Sequence, residues 1–253
     1  MSAGLEYHGM IRVPWLTSVY AAIGLITAAL APTLAVAGGN YGERALRLNA
    51  VYADAQEITA TSPDGKSKVV ISLKHPDAND FEISVSGEIG TGHFTLVSGP
   101  NAELLWSPDS RYVVITLNDG GMVGSYLLSV IGQFDGRLAE RDLTTLVATE
   151  FGHPVKCFER ETPNVAGVTW VDQPGRLVAV AQIVPRSNCD AMGTFKAYEI
   201  DVAAMKVVRR FSQREAKALF SEALGPELRA AEDCEKRPSV CYIPMLHPEM
   251  KQP

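Results

Sequence analysis

The chain has 253 residues, 46% of them hydrophobic, with 23 basic against 29 acidic residues and a net charge of −6. This composition supports a globular core and excludes a chain that is mostly disordered. No block of like charge occurs and the sum is negative, so the electrostatic footprint of a nucleic-acid-binding protein is missing.

After Arg12, the segment from Trp15 to Ala37 carries no charge and closes on Ala35-Val36-Ala37, a small-x-small site ahead of Gly38 and Gly39. This is the layout of a secretory signal peptide over residues 1–37, with Arg12 as a thin basic region. The run is also long enough to span a bilayer, so an uncleaved N-terminal anchor is the second reading. Its Ala and Thr content and Pro32 make it a mediocre spanning helix and favour cleavage. Both readings place residues 38 onward in an exported compartment, periplasmic or secreted, and after cleavage no membrane association is expected.

Residues 38–55 read as a lead-in with at most one short strand. From Glu57 the pattern becomes alternation punctuated by turns. Ser62-Pro63-Asp64-Gly65 precedes the apolar run Lys68 to Leu73, and Ser107-Pro108-Asp109-Ser110 precedes Tyr112 to Leu117. In each phrase the proline presets φ for a turn and the flanking Ser and Asp can bond local backbone, so Pro63, Asp64, Pro108 and Asp109 are turn builders joining two antiparallel strands. The β-branched and aromatic residues that follow suit a pleated, partly buried surface. Further strands are expected after each hairpin, at Asp80 to Ile89 and His93 to Gly99, then at Ser125 to Gly132 and Arg137 to Thr144. A weaker third copy starts at Gly167, with Trp170 in the place of Trp106 and Gln173 to Arg176 in the place of Ser107 to Ser110. The spacing of the first two copies, about 45 residues, lies in the range of blade repeats. Trp106 and Trp170 share one repeat position, which predicts that both fill the gap between adjacent sheets; the second reading is an exposed Trp that meets a sugar or peptide.

At Ser212 the period changes. Ser212 followed by Glu215 forms a capping-box pattern, and Ala216, Leu219, Phe220, Ala223 and Leu224 are expected on one helical face. Gly225-Pro226 is expected to stop this helix with a left-handed glycine and to open a second one. The predicted organisation is a signal peptide at 1–37, a β-rich domain at 38–211 and a helical, disulfide-bonded tail at 212–253 packed on the same domain. The four cysteines, Cys157, Cys189, Cys234 and Cys241, fit disulfides in an oxidising compartment, and they lack the paired knuckle spacing of a zinc site. Four cysteines allow three pairings; local closure favours Cys157 with Cys189 and Cys234 with Cys241.

The phrase Trp106-Ser107-Pro108-Asp109-Ser110-Arg111-Tyr112 resembles the repeat of TolB-type and dipeptidyl-peptidase-type β-propellers, with partial matches at 61–72 and 169–181. The resemblance covers about half of the chain after residue 37 and implies blade-like four-stranded units. Propellers close with about four to eight blades. Three candidate units fall short of that, and the expected fold is mainly β: about three blade-like antiparallel units in an incomplete or open propeller-like arrangement, with one or two C-terminal helices. The motif marks a turn and implies no activity.

No catalytic constellation stands out. There is no Gly-x-Ser-x-Gly elbow, and the histidines at 75, 93, 153 and 247 are scattered. Gly90-Thr91-Gly92 lies between strands and reads as a turn. Glu159 with Glu161, Asp201, and Glu232 with Asp233 read as solvated carboxylates. No catalytic, metal or cofactor residue is assigned and no cofactor is expected. The expected function is an exported, non-catalytic binding or scaffold protein whose partner is a protein or envelope component. The alternative is an envelope hydrolase acting on glycan or peptide through unrecognised carboxylates.

Overall fold

The computed structural model describes residues 36–37, 39–49, 57–73, 80–97, 101–118, 126–151, 162–184 and 192–232. All belong to the compact unit Pro32–Pro253; the unit Met1–Ala31 and all four cysteines lie outside the described residues. The chain is mainly β, as expected. After β1 (Val36–Ala37) and β2 (Leu46–Asn49), three four-stranded meanders follow in order. The first is β3 (Glu57–Thr61), β4 (Ser67–Leu73), β5 (Asp80–Gly87) and β6 (Gly92–Val97). The second is β7 (Asn101–Trp106), β8 (Tyr112–Asn118), β9 (Tyr126–Phe134) and β10 (Arg137–Asp142). Helix α1 (Thr144–Phe151) separates it from β11 (Asn164–Trp170), β12 (Arg176–Gln182), β13 (Phe195–Asp201) and β14 (Lys206–Phe211). Every pairing is antiparallel, and β2 with β1 extends the middle sheet into the order β1-β2-β7-β8-β9-β10.

The hydrophobic pattern of each strand reports its sheet's place in a stack. In the first sheet, apolar and polar residues alternate: Ile58, Ala60, Val69, Ile71, Ile83 and Val85 point inward and meet Leu104, Val113 and Ile115 of the middle sheet. The opposite face carries Glu57, Thr59, Lys68, Glu82, Ser86 and Thr95, all exposed. One wet face and one dry face is what alternation specifies. In β8 and β12 the alternation is lost and nearly every residue is buried, because both faces of these strands are covered. The middle sheet packs its second face, through Leu105, Val114, Leu128 and Val130, on Leu177, Ala179, Ala181 and Ile200 of the third. Helix α1 wedges Val147 and Phe151 into that layer. The third sheet's far face, Val168, Val178, Val180 and Phe211, is covered by the C-terminal segment and by Tyr41. The layers therefore run first sheet, middle sheet, third sheet, helices.

The repeated turn phrase has one geometry in its first two copies. Ser62 Oγ donates to Asp64 Oδ1 at 2.6 Å and accepts from Ser67 N–H at 2.9 Å; Ser107 Oγ donates to Asp109 Oδ1 at 2.6 Å and accepts from Tyr112 N–H at 2.9 Å. Gly65 and Ser110 occupy the same left-handed position, at φ 75° and 59°. Ser110 Oγ also accepts from Asp64 N–H at 3.1 Å, which ties one turn to the next. In the third copy Val171 N–H bonds the Arg176 carbonyl as Ser107 N–H bonds that of Tyr112, so Val171, not Gln173, stands where Ser107 does. Gln173 to Arg176 is thus offset by two residues from the correspondence expected, and Gly175 at φ 67° makes the turn without a Ser–Asp pair.

Near the C-terminus the capping box is present: Ser212 caps α2 (Gln213–Leu219), with Glu215 returning the bond. Two expectations are corrected. Leu219 is 57% exposed, because α2 ends there and the burial of Ala223 and Leu224 comes from the turn beyond it. Gly225 is extended, at φ −70°, and acts as N-cap of α3 (Pro226–Ala230) with Pro226 in its first turn, so its small size matters more than its conformational freedom. A Cβ at Gly225 would lie 2.3 Å from the Asn40 carbonyl oxygen. These helices cover a face of the third sheet. Replacing Ser107 by Ala leaves the buried Tyr112 N–H without its side-chain acceptor and should cost about 1–2 kcal/mol, read as a lower urea midpoint at unchanged slope.

Candidate functional site

Among the described residues, the most concentrated buried polar chemistry lies where the segment 39–45 crosses the middle and third sheets. Glu103, on β7, is 6% exposed. Its carboxylate accepts from three successive backbone amides: Asn40 N–H at 2.5 Å, Tyr41 N–H at 3.3 Å and Gly42 N–H at 3.5 Å. Consecutive amides converging in this way form a small anion nest. Gly39 lies against the same carboxylate, since a Cβ there would sit 2.2 Å from Oε2. Burial nevertheless pushes the Glu103 pKa above the usual carboxylate range; the three amides and the charge of Arg47 offset that only in part.

Behind the nest, Tyr41 enters the apolar layer beneath the helices, its ring centroid 4.6 Å from that of Tyr126 at the start of β9 and tilted 56° to it. Its hydroxyl donates to Gln182 Oε1 at 2.6 Å and accepts from Asn164 Nδ2 at 3.1 Å, and Gln182 Nε2 reaches the Gly193 carbonyl at 3.1 Å. Asn164 and Gln182 face each other across β11 and β12, so one tyrosine links the opening segment to two strands of the third sheet. Burial raises the Tyr41 phenol well above its ordinary value and pushes Tyr126 up to about 12, so both remain neutral hydroxyls. The backbone of the segment is also tied down: Glu43 N–H bonds the Ala223 carbonyl, Gly225 N–H bonds that of Tyr41, and Glu227 N–H bonds that of Asn40. An exposed pair, Arg229 with Glu43 at 2.7 Å, closes the outside. Residues 39–49 therefore act as a strap over the middle sheet, the third sheet and the C-terminal helices. The buried carboxylate beneath it, Glu103, is held by backbone amides, an arrangement that anchors the strap.

The residues singled out from the sequence fall into structural roles. Pro63, Asp64, Pro108 and Asp109 sit in the hairpin turns described above, and Ser62 and Ser107 are committed to them. Trp106 and Trp170 are half-buried and pack into successive inter-sheet layers. Trp170 stacks on Tyr112 with centroids 6.1 Å apart and donates its indole N–H to the Leu105 carbonyl at 3.3 Å; the Trp106 indole nitrogen is buried without a partner. Asp201 pairs with Arg176 at 3.2 Å, and Glu232 is exposed. Glu159, Glu161, Asp233, Cys157, Cys189, Cys234 and Cys241, and the histidines at 75, 153 and 247, lie outside the described residues. Among the described residues no group of three or more His, Cys, Asp or Glu is placed to hold a metal ion.

One pair on the outer face of the first sheet has the elements of a nucleophile and a base. Ser84 Oγ lies 3.0 Å from His93 Nδ1 across β5 and β6. β5 is an interior strand paired on both sides, so its amides are engaged in the ladder and cannot stabilise an oxyanion. The pair reads as a cross-strand hydrogen bond on a wet surface. Glu103 escaped the sequence reading because it sits in an otherwise apolar run, Ala102 to Leu105; that single charge in a strand destined for the interior was the available signal.

The chain matches no family model, no curated protein and no solved structure. Replacing Glu103 by Ala orphans three amides in a closed corner and should lower stability by about 3 kcal/mol. Replacing Tyr41 by Phe, which removes only the hydroxyl, should cost about 1 kcal/mol, with urea unfolding monitored by tryptophan fluorescence as the check.

Proposed function

We propose that this is an exported binding or scaffold protein of the cell envelope or extracellular space, acting through its surface and not through catalysis. The observation that carries the reading is the position of the strap. The strap begins at Gly39, two residues beyond the Ala37 that ends the small-x-small site, and of the uncharged run from Trp15 to Ala37 the described residues Val36 and Ala37 make only a short edge pairing with β2. Export also suits the four cysteines, paired as disulfides. The three meanders, with Ser-Pro-Asp at the same hairpin in two of them, are consistent with units of the TolB-type propeller kind arranged as an open stack.

The binding reading draws on where the polar groups are. The hydroxyls of Ser62 and Ser107 are engaged in turns, and that of Tyr41 and the Glu103 carboxylate in the strap. The exposed surface includes the outer face of the first sheet, on which Lys68 and Glu82 stand among serines and threonines, chemistry that suits a polar envelope component. The test is a pull-down from the envelope fraction with the mature protein and with a Lys68→Glu, Glu82→Lys variant. These exposed substitutions should leave the unfolding free energy within about 0.5 kcal/mol of wild type. The expected outcome is a partner retained by wild type and lost by the variant. Turnover of a glycan or peptide substrate, abolished by one substitution, would overturn the reading and establish a hydrolase.

A further inference from the structure

The sequence holds three Asp–Gly steps, at 64–65, 119–120 and 135–136, of which the second lies outside the described residues. The other two sit in turns and differ in what their atoms are bound to. Asp64 is locked. Its carboxylate accepts from Ser62 Oγ at 2.6 Å and from the Lys66 N–H at 3.0 Å, bonds that hold it below the usual carboxylate range, and the Gly65 N–H donates to the Ser62 carbonyl at 2.9 Å. In the β9–β10 hairpin Phe134 pairs with Arg137, so Asp135 and Gly136 form the whole loop, and their φ values of 52° and 75° make it a type I′ turn. Both residues are exposed, and a Cβ on Gly136 would meet nothing within 4 Å. Among the described residues no hydrogen bond or ion pair holds the Asp135 carboxylate or the Gly136 N–H.

A change from type I′ to type II′ rotates only the peptide between these two residues. It keeps the Phe134–Arg137 pairing and a positive φ at Asp135, carries ψ of Asp135 from about +30° to about −120°, and reverses the sign of φ at Gly136, which glycine does freely. At that ψ the Gly136 nitrogen eclipses Asp135 Cβ, as a five-membered ring closed through Asp135 Cγ requires. We infer that Asp135–Gly136 is a self-modification site that converts to isoaspartate in the folded protein, while Asp64–Gly65 is protected. The Gly136 nitrogen attacks the neutral Asp135 carboxyl: the N–Cγ bond forms, the Cγ–OH bond breaks, and the amide hydrogen and the hydroxyl leave as water. A second water adds to the main-chain carbonyl carbon of this succinimide and breaks its bond to nitrogen; its hydroxyl completes a free α-carboxyl and its hydrogen returns to the Gly136 nitrogen. The chain then runs through Asp135 Cβ and Cγ and is one carbon longer. A two-residue loop does not accommodate that carbon, so the Phe134–Arg137 pair opens and β10, the outermost strand of the middle sheet, frays. Leu138 thereby loses its seat against Gly90 and Gly92 at the β5–β6 turn.

The inference is tested on the wild-type chain. One sample is kept folded and another is held in guanidinium chloride, both in the same mildly acidic buffer for several weeks, and isoaspartate is located by peptide mapping with electron-transfer fragmentation. Each site's rate in the folded chain is divided by its own rate in the denatured one. At Asp135 the two rates should agree within a few-fold. At Asp64 the folded rate should be at least about ten-fold lower, because the Gly65 and carboxylate bonds must break first. Suppression at Asp135 as strong as at Asp64, or no suppression at Asp64, would overturn the inference. The modified fraction, separated by chromatography, should exchange the amide hydrogens of Leu138 and Ala139 faster than the unmodified protein, with β8 unchanged; equal exchange at both residues would overturn the fraying of β10.

Discussion

Placing a carboxylate in a protein interior is costly unless its oxygens are occupied, and Glu103 is occupied by the amides of Asn40, Tyr41 and Gly42, in a segment with no regular secondary structure of its own. That constraint orders much else. Once Asn40, Tyr41 and Gly42 are fixed on β7, the Tyr41 ring has one place to go, into the layer between the third sheet and the helices. Its hydroxyl then joins Asn164 and Gln182. The backbone that follows supplies partners for Ala223, Gly225 and Glu227, so the C-terminal turn and α3 are positioned by the N-terminal strap. The ends of the described body hold each other, and both are held by the sheets between them.

The stack has different solutions at its two ends. On the third sheet an apolar face remains after the second inter-sheet layer is filled, and residues 212–232 cover it together with Tyr41. On the first sheet the outward face is mostly polar: among the described side chains of β3, β4 and β5 it presents threonines, serines, lysine and glutamates, with Val70 half-buried among them. A fourth sheet packed there would have to bury charge, so the polar face itself terminates the stack. The serine-based turns contribute at the hairpin end, where Ser110, in its left-handed conformation, reaches from one sheet to the backbone of the next. Trp170 does the equivalent in the following layer, through its indole N–H to Leu105.

Much of this was legible in the sequence. Repeated Ser-Pro-Asp phrases specify their own turns through local bonds, and β-branched runs beside them specify strands, so the first two hairpins could be read almost residue by residue. The capping box at Ser212 is equally local. Layer order was also written there, in the contrast between the alternating EITAT of β3 and the continuous apolar residues of β8 and β12. The register of the third turn was not, because without Ser and Asp the only marker is Gly175, which fixes a conformation and not a pairing. Helix α1 went unread: its buried Val147 and Phe151 are too few to stand out as a period. The strap was read as a lead-in, since its bonds are to residues some sixty positions away or more, and no local pattern announces such partners.

The central claim is that Glu103 makes the opening segment part of the cooperative core. Native-state hydrogen exchange of the amides of Asn40, Tyr41 and Gly42 tests it most directly. In wild type these amides should exchange only through openings close in free energy to global unfolding, alongside β7 and β12, and in Glu103→Gln they should open at far lower cost while the β12 amides stay protected. Exchange at the strap that is already fast in wild type, or that does not change in Glu103→Gln, would contradict the account.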